Sequence, residues 1–421
     1  MTRILATLLL LLFAAPALAQ DSAEAEKSYF LSFVESQLST PNRRIVISNI
    51  QGVLSSEANI GSITVADREG VWLKITNARI VWSRLALLRG RLDINTLAAD
   101  SIDIMRKPLP DESLPSPEAK GFSLPELPLA VILQDLQVKR IAFGDGVFGL
   151  KSEISVAGNL TLDGGSLDSN LQIRRLDGPG GEFQIKAAYA NESQQLDLDL
   201  NLNEPANGIV ANLLSIEGRP PVVMALKGSG PLSDLALQLT LDAAGKRVLT
   251  GNTKLDRQDD GLGFKTTLDG EVAALIPPVF RDFFGNDTAL VVNGVVRDAG
   301  GFALDRLSIK SNALAVDATG ETTNDGFLRR LKVDATIADP TGKKVILPVA
   351  GGQTTVDKAV LAVGFGTTAN DDWSTTLDVN NLTTDMFAAK SVALVAKGLA
   401  QNIDNPATRS LTYDVTGDVS G

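Results

Sequence analysis

The sequence predicts an all-β protein that begins with one helix and carries a few short helices at the edges of its sheet. Alternation with period two gives a strand one apolar and one polar face, because successive side chains point to opposite sides of a sheet. After residue 40, sustained helical periodicity is almost absent, so the apolar side of such strands must face another sheet, the same sheet curled over, or an apolar ligand. Two segments show the alternation most clearly, through Leu196, Leu198, Leu200, Leu202, Leu235, Leu237, Leu239 and Leu241.

Composition narrows the chemistry that the 421-residue chain can perform. Hydrophobic residues make up 44% and charged residues 21% of the sequence, as in a globular protein and unlike a disordered one. The chain has no cysteine and no histidine, which excludes disulfides, Ser-His-Asp hydrolysis and histidine zinc sites. The net charge is −11 and uneven: residues 24–110 carry +2 and residues 111–421 carry −13. The acidic part makes nucleic acid a poor partner, and any membrane-surface contact is confined to the N-terminal part. We predict a protein that is not an enzyme and uses no cofactor or metal.

Residues 1–19 are typical of an export signal, either a cleaved signal peptide or a signal anchor. Arg3 supplies the positive charge, residues 4–13 form the apolar core, and Ala17-Leu18-Ala19 is a small-residue cleavage site. About ten apolar residues are too few to span a bilayer, which favours cleavage. We therefore expect a protein of the bacterial cell envelope that lies in the periplasm, with an inner-membrane anchor at the N-terminus as the alternative.

The next part of the chain indicates one helix followed by a β region. Residues 24–39 place apolar side chains at helical spacing and predict an amphipathic helix. Residues 40–107 change to period two, and the apolar parity switches at Thr76-Asn77, which indicates a bulge or a strand that crosses between faces. Residues 108–128 contain six prolines and predict a connection without regular structure.

Residues 129–421 repeat strand and turn at intervals of about 8 to 12 residues, the spacing of all-β folds. Residues 206–214 and 272–284 interrupt this pattern with helical character and could cover a sheet edge. Residues 144–149 match G-x-G-x-x-G, but a strand follows them, so we interpret them as a hairpin and not as a phosphate site. Because the final strand ends at Gly421 without a closing element, we expect the β structure to continue in a longer chain.

Short motifs that follow one another through residues 40–320 carry a resemblance to a known family. They are Ile50-Gln51-Gly52, residues 65–72, Trp82-Ser83-Arg84, Leu92-Asp93-Ile94, Arg106-Lys107-Pro108, residues 124–128, Asn203-Glu204-Pro205, residues 216–220, residues 227–232 and Phe283-Phe284-Gly285. Together they resemble the opening part of the TamB family of translocation and assembly module proteins, relatives of the AsmA-like group. The resemblance implies an inner-membrane-tethered periplasmic protein whose elongated sheet curls into an open groove with an apolar interior. It also implies a partner, a TamA-like outer-membrane β-barrel related to BamA, engaged by a C-terminal domain absent from these residues.

We predict from these observations a lipid conduit that moves phospholipid between the inner and outer membranes during outer-membrane biogenesis. The expected lining of the groove, which would contact phospholipid acyl chains, is the eight leucines of the two alternating segments. The alternative is a scaffold or chaperone for outer-membrane protein assembly, including autotransporters, that works by β-augmentation with a BamA-like partner. A third interpretation, a surface β-solenoid adhesin, requires a short tight repeat that the sequence does not show.

Overall fold

The computed structural model describes Glu35, Leu124 and residues 39–40, 43–52, 55–109, 127–349, 352–366 and 372–421. Strands account for 65% and helices for 7% of the structure, and the strands form a curled, open sheet. The all-β prediction with a few short helices is therefore confirmed. Within these described residues, no helix has both the length and the apolar character needed to cross a membrane.

Three regions predicted from the sequence fall wholly or mostly outside the described residues. The export signal at residues 1–19 is one of them. Of the predicted helix at residues 24–39, the structure describes only Glu35, which is helical, and Ser39. Most of the proline-rich connection at residues 108–128 also lies outside. The domain boundaries drawn from these regions remain predictions.

The chain forms two compact units that divide between Leu213 and Leu214. In unit 1 each strand pairs antiparallel with the next, except that the fourth and fifth are parallel. A parallel pair needs a crossover of a dozen or more residues, and the proline-rich connection supplies that length. The strands are β1 (Arg44–Gln51), β2 (Glu57–Asp67), β3 (Gly70–Ser83), β4 (Arg91–Ile104), β5 (Ala130–Phe143), β6 (Ser152–Asp163), β7 (Ser166–Arg175), β8 (Glu182–Ala190) and β9 (Gln195–Glu204).

A row of irregular residues crosses the first strands of unit 1 and explains the parity switch predicted at Thr76-Asn77. Asn49 and Asn77 have φ angles of 56° and 50°, and a Cβ on Gly61 would lie 2.8 Å from Asn49 Cβ. Asn77 Nδ2 donates a hydrogen bond to Asp100 Oδ2 at 2.9 Å. The strand pairing skips these positions, so the apolar side chains before and after them stay on one face. The pairing passes over one residue on each strand here without a shift in register, so the irregularity is not a bulge with an extra residue on one strand.

Unit 2 continues with antiparallel pairing from each strand to the next as far as the seventeenth, which then pairs with the twentieth. A two-stranded hairpin, β18 with β19, interrupts the order between them. The strands are β10 (Val222–Pro231), β11 (Asp234–Ala243), β12 (Lys246–Gln258), β13 (Gly261–Gly270), β14 (Thr288–Arg297), β15 (Phe302–Lys310), β16 (Leu314–Thr322), β17 (Leu328–Ala338), β18 (Val345–Ile346), β19 (Thr355–Val356), β20 (Lys358–Phe365), β21 (Asp372–Thr383), β22 (Ala388–Gln401), β23 (Ser410–Leu411) and β24 (Asp414–Ser420).

The short helices within the described residues lie in connections between strands. They are α1 (Arg84–Leu87), α2 (Asp145–Phe148), α3 (Ile209–Leu213), two 3-10 helices (Val272–Leu275 and Pro278–Phe280) and α4 (Arg281–Phe284). Both predicted helical interruptions are present, although α3 is shorter than the predicted residues 206–214. The G-x-G-x-x-G segment holds α2, which corrects the prediction of a simple hairpin: Gly149 ends that helix in the left-handed conformation, with φ of 75°.

Candidate functional site

In unit 1, cross-strand pairing places apolar side chains of all nine strands on a single face of the sheet. Directly paired residues project from the same face, so a row of side chains can be followed from strand to strand. Several apolar rows lie beside one another on the same side of the sheet, and we call the surface that these rows form the apolar face of unit 1. One such row consists of Ile50, Ile60, Ala78, Ala99, Val138, Val156, Ile173, Phe183 and Leu202.

The four leucines of β9 that the sequence singled out belong to this face. Their partners on β8 are Tyr189 for Leu196, Ala187 for Leu198, Ile185 for Leu200 and Phe183 for Leu202. Leu202 is buried, with 7% exposure, whereas the other three leucines are only half-buried. Half-buried leucines in the middle of a strand show that no second layer of described residues covers this part of the face.

Unit 2 has an apolar face of its own that contains the four leucines of β11. Leu235 and Leu241 are buried, with 0% and 7% exposure, and Leu237 and Leu239 are half-buried. One row of cross-strand partners runs from β10 through β22. Its members are Leu226, Leu239, Gly251, Leu268, Leu290, Ile309, Val316, Ala335, Leu361, Leu377 and Leu394.

Short connections cover these faces at strand ends, and no second sheet within the described residues packs on them. In unit 2, Phe283 of α4 is buried in one cluster with Val345 of β18, Val356 of β19 and Val379 of β21. In unit 1, α2 follows β5 and α3 follows β9. The leucine alternation allowed another sheet, the same sheet curled over or an apolar ligand as the covering layer. Another sheet is not found within the described residues, and the middle of each face stays accessible to a ligand.

Charged side chains on the opposite face of unit 1 pair with one another. Arg140 lies 2.6 Å from Glu153 and 3.1 Å from Asp103, measured between guanidinium nitrogen and carboxylate oxygen. The Arg140 guanidinium lowers the pKa of Glu153. Such partly exposed pairs contribute little to stability, so the two faces differ mainly in what they can bind. The apolar face offers hydrocarbon contact, and the other face offers charged and amide side chains.

Asp67 ties the beginning of the proline-rich connection to the turn between β2 and β3. Its side chain is 5% exposed and accepts a hydrogen bond from Arg106 Nη1 at 2.8 Å. It also accepts from the backbone N–H groups of Glu69 at 2.9 Å and Leu109 at 3.0 Å. The Arg106 guanidinium holds the pKa of Asp67 well below its usual range.

We expect Asp67→Asn to destabilise the protein at neutral pH and to have a smaller effect in acid. A carboxylate with a lowered pKa stabilises the fold above its unfolded pKa of about 3.9, and this contribution is lost as the pH falls further. Denaturant midpoints at about pH 7 and about pH 3 measure the difference between wild type and variant. The control is Glu69→Gln, since that carboxylate is 63% exposed and 4.0 Å from Arg106. An equal difference in denaturant midpoint between wild type and Asp67→Asn at both pH values would contradict the role of the Asp67 charge.

The fold and the site define a class of open β-sheet proteins in which each unit has a continuous apolar face. The chain belongs to the YdbH-like family, because the model of that family, described as "Intermembrane phospholipid transport protein YdbH", matches residues 5–409. This is a phospholipid transport family of the AsmA-like class, which confirms the broader sequence prediction and the bacterial envelope, whereas the narrower TamB assignment is not confirmed. No curated protein and no solved structure matches the chain.

Sequence reasoning singled out two strands of the faces and missed most of the others. Strands such as β6 and β7 also alternate, but their apolar side mixes leucine with isoleucine, valine, glycine and serine instead of an unbroken leucine set. The common signal is period two with any apolar residue. Applied to every strand, that signal would have found most of each row, although not which rows are continuous.

Proposed function

We propose that the apolar faces bind acyl chains of phospholipids, so that the protein acts as a periplasmic conduit moving phospholipid between the inner and outer membranes for outer-membrane biogenesis. The observation that carries the proposal is the direct register of apolar side chains across the strands of each unit, left half-buried in mid-strand. The YdbH-like family match supports it from an independent direction. The leucines of β9 and β11 form part of the lining in this proposal.

The energetics of such a surface favour hydrocarbon over any polar ligand. Each methylene that leaves water contributes roughly 0.8 kcal/mol, so a complete acyl chain is held without a specific chemical group. A headgroup on the same face would lose its hydration without gaining hydrogen bonds, so headgroups stay in water. The protein therefore works by contact area and not by catalysis.

The proposal also covers the location of the conduit in the envelope and the partner that receives the lipid. We expect the export signal to be cleaved after Ala19, with attachment to the inner membrane near the N-terminus, which the resemblance to the TamB family implies, as the alternative. A TamA-like outer-membrane barrel as the receiving partner follows from the ordered motifs that resemble the TamB family. Both are tested by fractionation and by crosslinking in cells, independently of lipid binding.

We expect phospholipid to copurify with the full chain and the delipidated protein to speed phospholipid transfer between vesicles. Mass spectrometry of lipid extracted from the purified protein measures the first, and a fluorescent phospholipid in donor vesicles measures the second. An exported protein of similar mass without an apolar face, expressed in the same cells, serves as control. A folded protein that retains no more lipid than this control would overturn the proposal.

A further inference from the structure

The apolar face of unit 1 ends in a cavity at the end where β5, β7 and β9 finish. The cavity has a volume of about 160 Å³. Five strands and one short helix contribute its apolar wall: Phe143, Phe148, Ile154, Ile173, Phe183 and Leu202. We call this space the tail cavity. Its wall residues on β5 to β9 are members of the apolar face, so the cavity is a continuation of that face.

Two short helices bound the tail cavity at the ends of the strands. Helix α2 follows β5 and α3 follows β9, and Asn212 Nδ2 on α3 donates a hydrogen bond to the Phe148 backbone oxygen on α2 at 2.7 Å. The rings of Phe143 and Phe148 lie 4.8 Å apart between centroids. Three strands separate β5 from β9, so the contact between α2 and α3 crosses the ends of β6, β7 and β8. It forms the floor of the tail cavity.

The charged side chains in the cavity wall already have protein partners. Arg175, whose side chain is 8% exposed, donates to Asp177 Oδ1 at 3.1 Å, to Asp177 Oδ2 at 3.0 Å and to the Asn207 backbone oxygen at 2.8 Å. The two carboxylate oxygens of Glu204 accept the backbone N–H groups of Ile209 and Val210, each at 2.8 Å. Because these charged groups already form hydrogen bonds within the protein, the space between them is suited to hydrocarbon and not to a headgroup.

We propose that the tail cavity holds the methyl end of a phospholipid acyl chain lying on the apolar face of unit 1. The chain then runs along the strands, with its headgroup towards the opposite end, where Gly164 and Gly165 form the β6–β7 turn. This inference rests on the proposed function and adds to it the direction in which the lipid lies. A cavity of about 150 Å³ lined by leucine, isoleucine and phenylalanine binds benzene, so the tail cavity has room for about six carbon atoms.

The dimensions of the strands agree with this placement. The hydrocarbon core of a bilayer is about 30 Å thick, so one acyl chain extends about 15 Å. Strand β7 has 10 residues and therefore extends about 33 Å at about 3.3 Å per residue. A chain that starts in the tail cavity covers about half of the strand, and its polar end lies on the open part of the face.

The test fills the cavity and measures which chain lengths still bind. The full-length protein as wild type, Ile173→Trp and Asn170→Trp is titrated with dilauroyl, dimyristoyl, dipalmitoyl and distearoyl phosphatidylcholine. Ile173 lies in the cavity wall, and Asn170 is exposed on the opposite face of the same strand. We expect Ile173→Trp to move the preferred lipid to a shorter chain, with affinity for the longest falling about fourfold for each methylene excluded. Asn170→Trp should keep the wild-type order.

A second measurement does not depend on how well Ile173→Trp folds. Phosphatidylcholine carrying a diazirine at the methyl end of its acyl chain is photolysed on the wild-type protein, and so is the analogue with the diazirine next to the carboxyl group. We expect the first to label residues near Phe148 and Ile173 and the second to label residues near Ser169, in the middle of β7. The reverse pattern, or equal weakening of all chain lengths by Ile173→Trp, would overturn the tail assignment. Wild type that binds no phospholipid in either experiment would overturn the proposed function as well.

Discussion

Leu237→Asp is expected to fold and lose its phospholipid, whereas Leu235→Asp, on the same face of the same strand, is expected to unfold. Leu237 is half-buried and has Gly228 and Thr253 as cross-strand partners, so water can follow a carboxylate into its place. Leu235 is 0% exposed and pairs with Leu255, so a carboxylate there becomes an unpaired buried charge.

The two variants should differ by a measurable free energy. We expect the free energy of unfolding to fall by at least about 3 kcal/mol for Leu235→Asp and by about 1 kcal/mol for Leu237→Asp. Retained phospholipid should fall at least about tenfold for Leu237→Asp, because a carboxylate facing an acyl chain costs several kcal/mol in desolvation. Leu198→Asp on β9 makes the same test in unit 1. Denaturant unfolding and lipid phosphorus are measured on the same preparations.

The control for this series is Gln238→Asp, an exposed position on the opposite face next to Leu237. It should keep both stability and bound lipid. If Leu237→Asp unfolds like Leu235→Asp, the position lies in a sealed core. If it stays folded and keeps its lipid, acyl chains do not pass this leucine.

Glu204→Ala is expected to lower the free energy of unfolding by about 2 to 6 kcal/mol and to open the floor of the tail cavity. Glu204 is 5% exposed and is the hydrogen-bond acceptor for the N–H groups of Ile209 and Val210. Truncation leaves both donors without this acceptor, and each such loss costs about 1 to 3 kcal/mol. Gly208 packs so closely that a Cβ there would lie 2.3 Å from Glu204 Oε2. The midpoint of denaturant unfolding measures the change.

The matched control is Glu217→Ala, a carboxylate that is 56% exposed and 3.5 Å from Arg281. An exposed pair of this kind contributes about 0 to 1 kcal/mol, so this variant should be close to wild type. Glu204→Gln, which keeps one acceptor oxygen, should lie between wild type and Glu204→Ala. Equal stability of Glu204→Ala and Glu217→Ala would show that the buried carboxylate does not hold α3 in place.

Several features of the fold could be predicted because their signals are local. The alternation at β9 and β11 predicted half-buried strands, and Pro277-Pro278 predicted the broken helical segment that ends in α4. The parity switch at Thr76-Asn77 predicted an irregularity, and the structure shows Asn77 in the left-handed conformation and passed over by the strand pairing. Each of these signals depends on the conformation of a few neighbouring residues, which the sequence determines through side-chain spacing and backbone restriction.

The tail cavity could not be predicted, because its wall comes from segments far apart in the chain. Phe143, Ile173 and Phe183 carry no motif, and α2 lies in a glycine-rich segment that reads as a simple turn. The parallel pairing of β4 with β5 was equally hidden, since nothing in either strand specifies which neighbour it will take. Both features depend on which strands become adjacent.

The sequence alone therefore determined that this chain forms strands, where their apolar sides lie, and that chemistry based on histidine or cysteine is excluded. Only the tertiary structure decided that these sides align into continuous rows, remain half-buried in mid-strand, and end in unit 1 in a cavity with a floor of two short helices. The physical reason is that side-chain direction follows from period two within a strand, whereas register and closure follow from hydrogen bonds between strands. Those bonds join residues that local sequence patterns do not connect.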